Sequence, residues 1–141
     1  MRQSRKDFLK SLGVITIGAC CGGTLLSLGG CASVPNVTAS RDNNKLTVKK
    51  SDFTDKTSVL VSNESLKAPV FLHKKNENEY TAVLMLCTHK ACELNPAGSI
   101  LHCPCHGSEF SQDGKVLQGP AEAELERYKV TVEGEHIIIT L

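Results

Sequence analysis

The chain has 141 residues, enough for one domain with a modest hydrophobic core. Its 16 Lys and Arg nearly balance its 15 Asp and Glu, and aromatic side chains make up only 4% of the sequence. The composition therefore offers neither a basic patch nor platforms for base stacking, and nucleic-acid binding has no support.

The first thirty residues differ in composition from the rest of the chain. Residues 4–10, Ser-Arg-Lys-Asp-Phe-Leu-Lys, resemble a twin-arginine export signal in which Lys6 replaces the second arginine. Residues 11–40 that follow contain no charged side chain. We expect residues 1–30 to be a signal peptide or a membrane anchor.

Residues 28–31, Leu-Gly-Gly-Cys, resemble a lipobox, which favours a lipoprotein anchored through Cys31 with residues 31–44 as a tether. A second lipobox-like segment ends at Cys20, but it leaves a short apolar region for a signal. Residues 11–30 could also just span a bilayer as an uncleaved helix, although their glycines disfavour a stable helix. Plain secretion is a further alternative.

From residue 45 to 141, short β-prone runs alternate with turn signals, and no long stretch has helical periodicity. Polar residues 76–79 predict a hairpin turn, and Gly114 and Gly134 predict two more, because glycine adopts positive φ without steric cost. The pattern predicts an all-β domain. The predicted strands are residues 45–49, 58–61, 69–74, 80–86, 99–101, 115–118, 125–133 and 136–141.

Two segments between these strands place six potential metal ligands within twenty residues. Residues 87–92 read Cys-Thr-His-Lys-Ala-Cys, and residues 103–110 read Cys-Pro-Cys-His-Gly-Ser-Glu-Phe. Both segments follow predicted strands and fall on loops. Thiolates donate strongly to ferric iron and neutral imidazoles more weakly, so a cluster with two of each has one iron that is easier to reduce. The pattern predicts a one-electron carrier.

The order Cys-x-His and Cys-x-x-His closely resembles the Rieske family, whose members bind a 2Fe-2S cluster. The resemblance covers roughly residues 45–141. It implies three small antiparallel sheets, arranged as a cluster-binding subdomain on a β base domain. It also implies one cluster per chain, with Cys87 and Cys103 as thiolate ligands of one iron and His89 and His106 as imidazole ligands of the other.

The resemblance extends to residues around the predicted ligands. It implies a disulfide between Cys92 and Cys105 that joins the two cluster loops, and a hydrogen bond from the Ser108 hydroxyl to a bridging sulfide. Residues 119–121, Gly-Pro-Ala, look like the proline loop that covers the cluster in this family. Phe110 stands where high-potential members carry a Tyr, which implies a potential below that of the highest members.

Two other interpretations of the cysteines remain open at this point. A structural zinc site with two Cys and two His is one, but zinc modules normally use Cys-x2–4-Cys and His-x3–5-His spacing. Simple disulfides stapling a small exported domain are the other, and they leave His89 and His106 without a role.

We interpret the chain as an electron-transfer protein that performs no catalysis alone. It is expected in the periplasm or on the outer face of the cytoplasmic membrane, because twin-arginine export carries folded proteins with clusters already built. The alternative is an iron-sulfur subunit of a quinol-oxidising cytochrome bc complex, or of a molybdenum oxidoreductase such as arsenite oxidase. Residues 31–141 carry twelve Lys and Arg and fourteen Asp and Glu, which predicts at most a weakly basic redox partner.

Overall fold

The structure is a computed structural model that describes residues 33–141. The predicted export signal, Cys20 and Cys31 lie outside the described residues. Within them, the all-β prediction is confirmed, and no helix is both long and apolar enough to cross a membrane. A short 3-10 helix, Lys50–Phe53, accompanies twelve strands in this part of the chain. The strands are β1 Asn36–Thr38, β2 Ser40–Asp42, β3 Lys45–Lys49, β4 Ser58–Ser62, β5 Val70–Lys74, β6 Tyr80–Leu84, β7 Asn95–Ala97, β8 Ile100–His102, β9 Glu109–Ser111, β10 Val116–Gln118, β11 Arg127–Glu133 and β12 His136–Thr140.

The strands of residues 33–141 form one large and one small sheet. The large sheet has the order β1-β4-β5-β6-β11-β12-β3-β2, and the small sheet has the order β10-β9-β8-β7. The family resemblance implied three small antiparallel sheets. Two of these are fused, because β11 is long enough to pair with β6 through its first two residues and with β12 through its last five. The parallel pairing of β1 with β4 was also not predicted.

The folded part begins before the predicted boundary at residue 45. Residues 36–42 form β1 and β2 instead of a tether. The carbonyl of Pro35 already accepts a hydrogen bond from the Leu60 N–H at 2.8 Å, so the sheet begins at this point of the chain. Both strands are three residues long with mostly exposed side chains, so they lack the hydrophobic alternation that identifies a strand in a sequence.

Strand β5 separates two hydrophobic cores, because its successive side chains point to opposite faces. Val70 and Leu72 pack into the core of the base domain together with the inward residues of β3, β4 and β12. Phe71, on the other face, packs into a second core beneath the small sheet with Leu101 and Phe110. The small sheet and its loops therefore form a subdomain seated on the back of the base domain.

The large sheet has two distinguishable ends near this subdomain. One, which we call the hairpin end, carries the β5–β6 turn. Here Lys75 Nζ lies 3.2 Å from Oδ1 of Asp113, which belongs to the β9–β10 turn of the small sheet. The other, which we call the cluster end, is where β6 leads into residues 87–92. Because β9 runs from residues 103–108 toward Asp113, this second loop also lies away from the hairpin end.

Candidate metal centre

Residues 87–92, which we call loop 1, follow β6 and are folded by two backbone hydrogen bonds. The Cys87 N–H donates to the Cys92 carbonyl at 2.8 Å, and the Ala91 N–H donates to the Cys87 carbonyl at 2.8 Å. Ala91 has a positive φ of 55°, which turns the chain back toward its start. The loop closes around its first residue, Cys87.

Residues 103–108, which we call loop 2, join β8 to β9 and have the same backbone arrangement. The Cys103 N–H donates to the Ser108 carbonyl at 2.8 Å, and the Gly107 N–H donates to the Cys103 carbonyl at 3.0 Å. Gly107 has a positive φ of 77°, at the position that Ala91 occupies in loop 1. The two loops thus repeat one hydrogen-bonding pattern at the same spacing.

The four side chains predicted as ligands lie on these paired loops. Cys87 and Cys103 are 2% and 1% exposed, and neither takes part in a disulfide. His89 and His106 are exposed, and their ring centroids are 5.0 Å apart at an interplanar angle of 86°. The structure therefore brings together two buried free thiols and two exposed imidazoles.

The surroundings of Cys87 favour a negatively charged sulfur. Burial raises the pKa of the Cys87 thiol, but hydrogen bonds outweigh this effect and leave the pKa below its ordinary value. The largest lowering comes from the backbone N–H of His89, followed by the side chains of Cys103 and Ser108. Hydrogen bonds to a thiolate stabilise it, and the thiolate is the form that binds metal. These residues fit a cluster with thiolate ligands.

The remaining cysteines of the two loops are bonded to each other. Cys92 and Cys105 form a disulfide with an S–S distance of 2.06 Å, which joins loop 1 to loop 2. The sulfurs of Cys92, Cys103 and Cys105 lie within 4.8 Å of one another. Two of these three sulfurs are held in the disulfide, so this group is not a separate metal site.

Residues 119–124, which we call the cover loop, lie across loop 2 through a buried serine. The Ala121 N–H donates to Ser108 Oγ at 3.0 Å, and both residues are almost fully buried. Because this hydroxyl oxygen acts as an acceptor, its own proton is free to point toward sulfur. The sequence resemblance implied a hydrogen bond from this hydroxyl to a bridging sulfide, and the bond from Ala121 was not predicted.

Two further side chains fasten the cover loop. Thr88 Oγ1 donates to the Ala123 carbonyl at 2.6 Å, which ties loop 1 to the cover loop. Gln118 Nε2 donates to the Gly107 carbonyl at 3.1 Å, which ties the start of the cover loop to loop 2. Sequence reasoning missed both contacts, since an isolated Thr or Gln on a loop carries no signal of its partner.

The three remaining histidines of residues 33–141 lie outside the centre. Phe110 is fully buried in the core under the small sheet. His73 Nδ1 lies 2.9 Å from Ser58 Oγ on the neighbouring strand, and His102 faces Glu109 at 3.7 Å. His136 lies on β12 in the base domain.

Comparison with known families agrees with this geometry. The family described as Rieske [2Fe-2S] domain matches residues 43–129, well over half of the chain. The chain therefore belongs to the Rieske family. The fold and the site define an iron-sulfur electron carrier with a Rieske-type 2Fe-2S cluster as its cofactor.

The sequence relatives include iron-sulfur subunits of cytochrome b6-f complexes. The chain is 40% identical over 63 residues to the cytochrome b6-f complex iron-sulfur subunit of Chlorobaculum tepidum, covering 43% of this chain and 35% of that protein. It is 41% identical over 54 residues to the subunit of the same name from Synechococcus sp. (strain JA-3-3Ab), covering 37% and 31%. The match thus spans about a third of the length of these relatives.

A similar solved structure is the cyanobacterial plasma membrane Rieske protein PetC3 from Synechocystis PCC 6803. It is 33% identical to this chain with a TM-score of 0.57, and the superposition covers 66% of this chain and 95% of that one. The hyperthermophilic respiratory Complex III has a chain that is 23% identical with a TM-score of 0.51, covering 64% and 71%. The second likeness supports the fold alone.

Proposed function

We propose that the chain carries single electrons through a cluster held by Cys87, Cys103, His89 and His106, while tethered at the outer face of the cytoplasmic membrane. The observation that carries this proposal is the pairing of two buried free thiols with two exposed imidazoles 5.0 Å apart. Membership of the Rieske family supports the same ligand set.

Each residue of the centre has a distinct role in this proposal. The bound cluster supplies reversible one-electron chemistry. Buried Cys87 and Cys103 hold one iron and keep it away from water. Exposed His89 and His106 hold the other and give electrons a short path to a partner at the surface. The Cys92–Cys105 disulfide keeps the two loops in register.

The membrane tether is proposed from the N-terminal sequence. Residues 1–30 would be an export signal, and Cys31 would carry the lipid. The name of the similar Synechocystis structure describes a plasma membrane protein, which supports a membrane location. Because strand pairing already involves Pro35, the tether between the lipid and the folded domain is reduced to a few residues.

A second candidate function is an iron-sulfur subunit of a cytochrome bc or b6-f complex. It is favoured by the 40% identity to a subunit of that name. Gentle detergent purification from native membranes discriminates between the candidates. Co-purification of b-type and c-type haem with the chain supports the subunit, and recovery of the chain without haem supports the independent carrier.

The ligand set is tested by metal analysis of protein purified from its own host. We expect about two irons and two acid-labile sulfides per chain, as a 2Fe-2S cluster requires. His89→Ala and His106→Ala should lose the cluster and its EPR signal. His136→Ala is a matched control, since this exposed histidine lies on β12 away from both loops. Stoichiometric zinc without iron would contradict the proposal.

A further inference from the structure

The described chain begins at the hairpin end of the large sheet. Strand β1 is parallel to β4, with Asn36 opposite Leu60. Val34, two residues before Asn36, is therefore level with Ser58 at the start of β4. Through β5, Ser58 is also level with Thr81, the second residue of β6. The N-terminal segment thus joins the sheet level with the start of β6, with β4 and β5 between them.

Loop 1 lies toward the other end of the same sheet. Its first residue, Cys87, comes six residues after Thr81 in the direction of β6, a path on the order of 20 Å. The contact of Lys75 with Asp113 holds the far turn of the small sheet at the hairpin end, which directs loop 2 away from that end. Along the strand direction, the point of attachment therefore lies toward the hairpin end and the metal centre toward the cluster end, and Val34 packs against the second hydrophobic core.

The chain between the proposed lipid and the domain is shorter than this separation. Val34 is only three residues after Cys31, and three extended residues span at most about 11 Å. Turning the cluster end head-on to the bilayer would require the tether to run back along the domain for on the order of 20 Å. A lipid on Cys20 would instead leave fourteen residues, which reach up to about 50 Å.

The cluster end has the surface of a protein contact. Leu117, directly before the cover loop, is 57% exposed and is the one large hydrophobic side chain of residues 33–141 that is exposed. Pro120 and His89 line a groove of about 590 Å³ between loop 1 and the cover loop. Exposed Lys90 and Glu122 at this end carry opposite charges. A second exposed acid of the cover loop, Glu124, is paired with Arg127 at 2.7 Å. A surface of mixed polarity and little net charge suits the small, transient contacts of electron-transfer proteins.

We propose that the anchored protein holds its cluster end toward the aqueous phase and exchanges electrons with a water-soluble redox protein, not with a quinol in the bilayer beneath it. The inference rests on the proposed lipid at Cys31. In each exchange one electron leaves the reduced iron and reduces the oxidised metal of the partner by one unit. No bond forms or breaks.

Energy transfer to the membrane tests this orientation. The full-length lipidated protein is placed in phosphatidylcholine vesicles that contain an acceptor dye on their headgroups. A donor dye is attached at position 117 in one variant and at position 78, in the β5–β6 turn, in another. We expect stronger transfer from position 78. Equal transfer, or stronger transfer from position 117, overturns the proposal.

A matched insertion tests whether the short tether causes the difference in energy transfer between the two donor positions. About twelve Gly and Ser residues placed after Ala32 extend the reach by up to about 40 Å, and the difference between the two donors should be lost. In the same vesicles, a long-tailed quinol should reduce the insertion variant faster than the parent. Soluble cytochrome c should oxidise both at the same rate. A difference that persists with the insertion, or a parent reduced by quinol as fast as the insertion variant, overturns the proposal.

Mass spectrometry of the N-terminal peptide distinguishes a wrong anchor from a wrong orientation. A lipid on Cys20, or an uncleaved N-terminus, overturns the proposed anchor and the orientation that rests on it. A lipid on Cys31 together with equal donor transfer overturns the orientation alone and leaves the proposed anchor standing.

Discussion

Replacing Ser108 by alanine removes two interactions at once, and each has its own measurable consequence. Ser108 is 0% exposed and Ala121 is 3% exposed, and the N–H of Ala121 donates to the serine hydroxyl at 3.0 Å. In Ser108→Ala this buried N–H loses its acceptor, which costs about 1–3 kcal/mol. Chemical denaturation of the holoprotein should show a loss of stability in this range.

The second consequence concerns the reduction potential. The Ser108 hydroxyl also interacts with the sulfur of Cys87 and helps to lower the pKa of that thiol. A hydrogen bond to sulfur stabilises negative charge, and the reduced protein carries more of it, so losing this bond should lower the potential. A hydrogen bond to a charged group contributes about 1.5–3 kcal/mol, which sets an upper limit of about 60–130 mV for one electron. Protein-film voltammetry measures the shift.

Ser111→Ala is the matched control for both measurements. The hydroxyl of Ser111 accepts a backbone hydrogen bond from the Lys115 N–H at 3.1 Å, but Ser111 is partly exposed and lies outside loops 1 and 2. Its replacement should cost less stability and leave the potential unchanged. If Ser108→Ala kept the wild-type potential with its cluster intact, the assignment of a hydrogen bond between this hydroxyl and the ligand sulfur would be wrong.

Three further perturbations have expected outcomes. Replacing Cys92 and Cys105 together by serine removes a crosslink between residues thirteen apart and should lower the free energy of unfolding by about 3 kcal/mol. An unchanged denaturation midpoint would show that the crosslink adds no stability. Gly114→Ala should clearly lower the free energy of unfolding, because φ is +82° and the added Cβ would lie 3.1 Å from two neighbouring side-chain atoms. Gly134→Ala, at φ +59° with open space around it, should lower it less. Equal losses of stability in the two variants would contradict the steric argument. Burial lowers the pKa of His73, so the unfolded chain takes up a proton there more readily than the folded one. The free energy of unfolding should therefore fall as pH drops below about 6.5. His73→Gln should reduce this dependence of stability on pH, and an unchanged dependence would assign it to other groups.

The predicted strands agree with the structure wherever a local pattern in the sequence marks them. All eight occur within two residues of their predicted bounds, because alternating apolar residues and polar turns mark them locally. The strands that were missed are three residues long. Asn95–Ala97 contains a proline, and Glu109–Ser111 overlaps the end of the second cysteine segment. Their pairing depends on neighbours far along the chain, which no local pattern reveals.

The potential metal ligands were easier to predict from the sequence than the contacts that hold the cover loop over them. Side chains that bind metal are rare, so six potential ligands could be named from residues 87–106, and the family resemblance implied which four of them hold the cluster. The contacts that hold the cover loop could not be named. Thr88 and Ala123 are 35 residues apart, and their hydrogen bond exists only because two loops meet in space. The predicted ligands are marked by local sequence, whereas the fastening of the cover loop depends on the tertiary structure.

Loops 1 and 2 have the same main-chain arrangement but carry their potential ligands at different positions. In each loop the same two hydrogen bonds enclose the leading cysteine, yet the third residue is His89 in one loop and Cys105 in the other. At the fourth residue, Lys90 corresponds to His106. The shared main chain therefore fixes only the leading cysteine of each loop, and the histidine predicted as the second ligand can stand at either of two successive positions, the third residue in loop 1 and the fourth in loop 2.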